Sequence, residues 1–199
     1  MRFVSFEGVE GSGKTSLSIW LVEQLQNRGD EAHWTREPGG GDPDIRQRLL
    51  DIAHLDDETE LKLFLEDRRL HVQNKIGPWL KSGAWVVCDR FADSTVAYQG
   101  YARGKSPQLL RKLNAEATGG LMPTVTFLID LPAGIGLRRQ SERNRFELES
   151  AAFHERVRTG YLTEAALAPD RFVLLNGCLD PEALQKQVWT VIAQKWSLR

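Results

Sequence analysis

Residues 8–15 read Gly-Val-Glu-Gly-Ser-Gly-Lys-Thr, a match to G-x-x-x-x-G-K-[ST] set between two recognisable flanks. Phe3 to Phe6 form a short apolar stretch suited to a buried strand. Leu17, Ile19, Trp20, Leu21 and Leu25 mark an amphipathic helix that closes near Arg28-Gly29. A glycine loop between strand and helix turns successive N–H groups inward at the positive end of the helix dipole, which makes a cradle for phosphate. Gly8, Val9, Glu10, Gly11, Ser12, Gly13, Lys14, Thr15 and Ser16 are therefore expected around a bound nucleotide. Lys14 would reach the β- and γ-phosphates, and the Thr15 hydroxyl would serve Mg²⁺.

Strand-like and helix-like patterns alternate along the rest of the chain, which predicts a parallel β-sheet of the P-loop NTPase type, an α/β fold with helices on both faces. Strands are expected at Glu31–Thr35, Trp85–Cys88, Thr124–Asp130 and Phe172–Leu175, and helical patterns over 42–52, 58–80, 94–103, 108–117, 132–139 and 181–196. At 199 residues one domain over 1–199 is expected. The 26 basic and 27 acidic residues leave a net charge of −1, so nothing steers the chain toward nucleic acid or an acidic membrane, and any phosphate site must be local. Cys88 and Cys178 have no metal-cluster spacing, and with no room for a leader before the first strand they are expected as reduced thiols in the cytoplasm. The longest apolar run, Val125 to Leu131, contains Thr126 and Asp130 and is too short to span a membrane.

In an open parallel sheet ligands gather at the carboxyl ends of strands. That rule brings the 8–15 loop together with Arg36 and with Asp89-Arg90. Asp89 is a candidate Mg²⁺ partner beside Thr15, and Arg90 has a forked head suited to phosphate. Phe64, Arg68 and His71 share one helical face. Arg68 on such a face needs an anionic or planar partner, Phe64 is either core or a base-stacking ring, and His71 is taken as a neighbour. Ser94, Tyr98 and Gln99 follow within about a turn of one another, and Gln99 offers both a donor and an acceptor for a base edge. The charged run from Arg138 to Glu149 fits either a solvated helix face or a short mobile lid, at about 138–150, that folds arginines over phosphates.

Taken together, these stretches resemble the thymidylate kinases, which transfer the ATP γ-phosphoryl group to dTMP. The resemblance covers nearly the whole chain: Phe6-Glu7-Gly8 with the glycine loop, Thr35-Arg36-Glu37-Pro38-Gly39-Gly40, Leu63-Phe64 with Asp67-Arg68, and Asp89-Arg90-Phe91. It continues through Ser94, Ala97-Tyr98-Gln99-Gly100, Asn144-Arg145-Phe146-Glu147, Phe153, Arg156-Val157-Arg158 and Tyr161-Leu162. It implies that Phe64 stacks on thymine, that Arg68 and Gln99 address its polar edge, and that Tyr98 packs near the deoxyribose. It further implies that Arg36 and Arg90 clamp the dTMP phosphate beside Pro38 and Ser94, and that Glu10 reads the acceptor sugar. The family places its catalytic arginine in the glycine loop or in the lid. Gly11 follows Glu10 here, so the resemblance assigns that role to the lid, with Arg139, Arg143 and Arg145 as candidates. A homodimer packed through helices is also implied.

Three other readings compete. A kinase for another nucleoside or nucleoside monophosphate would need a different fit at Phe64, Arg68, Tyr98 and Gln99. A GTP-dependent switch would need an Asn/Thr-Lys-x-Asp element, and the nearest string, Asn74-Lys75-Ile76-Gly77, lacks the aspartate. A nucleic-acid-dependent ATPase is disfavoured by the absence of a basic stripe.

Overall fold

A computed structural model of the chain describes residues 1–51, 55–139, 146 and 148–198. Five strands, β1 (Phe3–Glu7), β2 (Ala32–Arg36), β3 (Trp85–Asp89), β4 (Val125–Asp130) and β5 (Phe172–Asn176), form one parallel sheet in the order β2-β3-β1-β4-β5. β1 lies between β3 and β4, where the chain's connections change direction, and that is where a crevice opens beyond the strand ends. The carboxyl ends of β1, β2 and β3 deliver Glu7, Arg36 and Asp89 to it.

Alternation along the strands divides the core. Val4, Phe6, Trp85, Val87, Phe127 and Ile129 face α1 (Lys14–Asn27) and α9 (Pro181–Trp196), meeting Leu17, Leu21, Leu25, Leu184, Val188 and Ile192. Trp20, Trp189 and Trp196 pack at the rim of this cluster. The opposite face is less uniformly apolar. Phe3, Val86 and Cys88 bury against Ile76 and Phe91, whereas Ser5 and Thr126 share a buried hydrogen bond of 2.9 Å across β1 and β4.

The helical pattern expected over 58–80 is a single path with a change of winding. α3 (Asp57–His71) starts on the Asp56 side chain, which accepts from the Glu58 and Thr59 amides, and passes through a π-helical turn at Val72–Ile76 into α4 (Gly77–Lys81). A Cβ at Gly77 would lie 2.8 Å from the Val72 carbonyl oxygen, so the wider turn requires glycine there. α2 (Pro43–Asp51) fits the pattern over 42–52, and the helix expected over 94–103 is likewise composite: α5 (Ala92–Thr95) widens into a π-helical stretch, Val96–Ala102, that carries Tyr98 and Gln99. α6 (Pro107–Thr118) and α7 (Ala133–Arg138) match their expected spans within two residues.

The longest helix, α8 (Ala151–Leu167), is the one apolar periodicity does not announce. Its buried face mixes Phe153, Val157 and Tyr161 with His154, Gly160 and Glu164, so polarity and burial disagree along it.

Candidate active site

The glycine loop is held open by backbone shapes that side chains would obstruct. Gly11 has φ 69°, and a Cβ there would strike the backbone of Gly136 in α7, so loop and helix touch through two glycines. Lys14 is buried and folds back on the loop, its Nζ donating to Val9 O at 2.7 Å and to Ser12 Oγ at 3.2 Å. Burial, reinforced by the nearby Arg90 charge, lowers its pKa to about 8. Thr15 Oγ1 donates to Asp89 Oδ2, which joins the first turn of α1 to the end of β3. Asp89 Oδ1 is buried with no hydrogen-bond partner among the described residues.

Beside the loop, Arg90 sits at φ 68°, an uncommon shape for a residue with a side chain. Its backbone is fixed by Arg90 N donating to Phe6 O at 3.0 Å, and by the next amide, Phe91 N, donating to Glu7 Oε1 at 2.7 Å. The guanidinium donates to Glu10 Oε1 at 2.7 Å, Tyr161 Oη at 3.0 Å and Gly8 O at 3.1 Å. Tyr98 Oη donates to the same Glu10 oxygen at 2.9 Å. Burial opposes ionisation of Glu10, but Arg90 and Lys14 outweigh it and hold the pKa at about 2. Glu7 lies one layer deeper. Burial, with Asp93 nearby, raises its pKa to about 7, and its Oε2 accepts from Ser94 Oγ at 2.6 Å and Tyr161 Oη at 3.1 Å.

Farther along the crevice Arg68 is almost fully buried. It donates to Glu37 Oε2 at 2.8 Å, Thr95 Oγ1 at 2.9 Å, Asn114 Oδ1 at 2.6 Å and Phe91 O at 3.2 Å. Its head also lies 5.5 Å from the Phe91 ring centre. The sequence asks for an anionic or planar partner for such an arginine, and Glu37 and the Phe91 ring fill both roles from within the protein. His71 is a neighbour, as expected: its Nδ1 and Nε2 bridge Glu37 Oε1 at 3.0 Å and Thr35 Oγ1 at 2.7 Å. Asp67 caps the glycine-rich turn after β2, accepting from the amides of Gly39, Gly41 and Asp42.

These parts enclose one cavity of about 410 Å³. Glu10, Gly11, Gly13, Lys14, Thr15, Ser16 and Asp89 line it at the loop end, and Arg36, Pro38, Phe64, Arg68, Arg90, Ser94, Tyr98 and Gln99 along the rest. Gly8, Val9 and Ser12 act behind it: Gly8 O holds Arg90, Val9 packs into the core, and Ser12 Oγ accepts from Lys14.

A thymidylate kinase family model matches residues 6–188. The chain belongs to the thymidylate kinase family. It is 46% identical over 210 residues to a thymidylate kinase of Oleidesulfovibrio alaskensis, covering 98% of this chain and 99% of that one. Identity to a thymidylate kinase of Desulfovibrio desulfuricans is 47% over 204 residues, covering 96% and 94%. The crystal structure of thymidylate kinase from Ehrlichia chaffeensis superposes with a TM-score of 0.80 at 33% identity, covering 96% of this chain and 97% of that chain.

Within this thymidylate kinase cleft, the sequence reading missed Glu37, Arg46, Leu50, Thr95 and Phe146, all of which line the cavity. Glu37 and Thr95 adjoin named residues and were legible as neighbours. Arg46 has no local signal: it lies on α2, and its Nη1 donates to Pro38 O at 2.7 Å only because the turn folds back. Of the arginines expected in a lid, Arg139 is exposed at the cavity margin, and its Nη1 donates to Gly177 O at 3.5 Å. Arg143 and Arg145 lie outside the described residues.

Proposed function

We infer that this chain transfers the γ-phosphoryl group of ATP to dTMP, giving ADP and dTDP for dTTP synthesis. The observation that carries this reading is the continuity of the cleft. One cavity joins a phosphate loop at Lys14 and Thr15 to an end walled by Phe64, Arg68, Tyr98 and Gln99, with Arg36 and Arg90 between. The acceptor is already an anion, so positioning and charge stabilisation suffice and no strong base is required.

Mg²⁺ fits the residues present. The buried, unpartnered Asp89 Oδ1 and the adjacent Thr15 hydroxyl offer hard oxygen ligands next to the phosphate loop. An ion held by these residues would supply positive charge to the donor phosphates during transfer. Lys14 exchanges its hold on Val9 O for the donor phosphates. Arg90, fixed by Glu10 and Tyr161, aligns the acceptor phosphate with Arg36, whose buried Nε has no partner among the described residues. Glu10 stays ionised at any working pH and accepts a hydroxyl of the acceptor sugar, while Phe64 stacks on the base. A lid arginine, drawn from Arg139, Arg143 and Arg145, stabilises the transferring group.

Two further readings rest on the family likeness. The enzyme works in the cytoplasm, a place compatible with the described helices, none of which is long and apolar enough to cross a membrane. It works as a homodimer, which sedimentation of the purified chain would test.

The test of the reaction is ADP formation from Mg·ATP with dTMP, dUMP, dCMP, dGMP, dAMP and no acceptor. Strong stimulation by dTMP supports it. Stimulation by a purine monophosphate instead would overturn the base-site assignment, and acceptor-independent hydrolysis would overturn the kinase reading.

A further inference from the structure

We propose that Glu60 determines which pyrimidine the cleft accepts, by fixing the polarity of the Gln99 amide. Glu60 touches no part of the cavity, so it is a positioning residue. The proposal rests on dTMP being the acceptor.

Gln99 lines the cavity yet is almost wholly buried, and its Nε2 donates to Glu60 Oε1 at 2.7 Å. Glu60 is fully buried on α3 and is itself held by Arg103. Arg103 Nε donates to the same Oε1 at 3.1 Å and Nη2 to Oε2 at 3.4 Å. An ionised carboxylate can only accept hydrogen bonds, whereas an amide can turn either end toward a partner. Turning the Gln99 oxygen toward Glu60 would set acceptor against acceptor in a buried place, which is costly. The amide nitrogen is therefore committed to Glu60, and the oxygen is the end left for a ligand. Gln99 alone is an ambivalent reader; Gln99 on a pinned carboxylate is an acceptor.

Its neighbour in the cavity, Arg68, already directs its donors to Glu37, Thr95, Asn114 and the Phe91 carbonyl. The Gln99 oxygen is therefore the group that reads the base polarity. An acceptor there suits a pyrimidine that donates at N3, as thymine and uracil do. Cytosine has a bare N3 and offers no such donor. The choice against cytosine thus originates in a carboxylate that the base does not touch.

The experiment compares kcat/KM with ATP for dTMP, dUMP and dCMP in wild type, Glu60→Gln and the exchange Glu60→Gln/Gln99→Glu. Glu60→Gln frees the amide to turn, so the preference for dTMP over dCMP should fall by about tenfold or more, chiefly through KM. The preference for dTMP over dUMP should stay put, since those bases share the edge being read. The exchange returns a donor to position 60 and an acceptor-only group to position 99, so it should recover dTMP preference, which a merely structural role would not. Arg103→Met, which unpins Glu60 while leaving it in place, should shift the same ratio in the same direction by less, and serves if Glu60→Gln does not fold.

An unchanged dTMP-to-dCMP ratio in these variants, in an enzyme active on dTMP, overturns the proposal and leaves the kinase reading intact. So does a parallel loss for all three nucleotides. A wild type inactive on dTMP overturns the kinase reading instead. Equilibrium binding of the three nucleotides to wild type and Glu60→Gln then decides whether the amide has a fixed polarity.

Discussion

At the base end of the cleft Arg68 is bonded to Glu37, Thr95, Asn114 and the Phe91 carbonyl, while at the phosphate end the buried Arg36 Nε and Asp89 Oδ1 have no partner among the described residues. Both ends hold charge out of water, yet only one holds it in balance. A buried group left unpaired costs stability, so such groups persist where a ligand completes them. The base end is a finished scaffold that supplies shape and polarity. The phosphate end is finished by the nucleotide, its metal ion and the acceptor phosphate. Substituting residues at the two ends should therefore damage different properties.

The largest effect is expected at the phosphate end. Lys14→Ala should lower kcat by about 10³-fold or more, since a charge aimed at the transferring group is lost. Thermal stability should hold or rise, because Lys14 is a buried cation whose burial disfavours its charge. Turnover near that of wild type would remove Lys14 from the chemistry.

Two like substitutions then separate the ends. Arg68→Met leaves Glu37 buried beside His71 without its main countercharge, whose presence outweighs burial and keeps the Glu37 pKa low. It should cost about 3–5 kcal/mol in denaturant unfolding. Arg36→Met breaks no ion pair among those found and should shift unfolding by less than about 1 kcal/mol, while raising KM for dTMP by about 10–100-fold. Equal loss of stability in both variants would contradict the contrast.

The smallest expected effect is a pH dependence. Lys14 is lowered to about 8, so it is protonated below that pH and loses its charge above it. KM for ATP should rise as pH climbs from 7 to 9, by at most about tenfold per unit. With ATP saturating, bound phosphates favour the charged lysine and kcat should change little over the same window. A KM flat across that range would show that Lys14 is not titrating there.

What the sequence made legible follows the same division. The glycine loop, the Arg36-to-Gly41 turn and the Asp89-Arg90 corner are local: glycines at positive φ and a strand end fix the backbone within a few residues, so their spacing carries the chemistry. The scaffold of the base end is not local. Arg68 meets Asn114 across 46 residues and Gln99 meets Glu60 across 39, pairings set by how helices pack rather than by any short pattern. Glu7 shows the limit most plainly. It is visible as part of Phe6-Glu7-Gly8, but its place under Arg90, reached through Tyr161, depends on an α8 whose mixed buried face hides its period.

The central claim is that donor and acceptor meet in one cleft, prebuilt for the base and completed by the phosphates. Its most direct test is a single-turnover reaction of the enzyme with Mg²⁺, dTMP and ATP labelled in the γ-phosphate. The account predicts that the label passes to dTDP with little inorganic phosphate formed. Label appearing as inorganic phosphate, with or without dTMP, would contradict it.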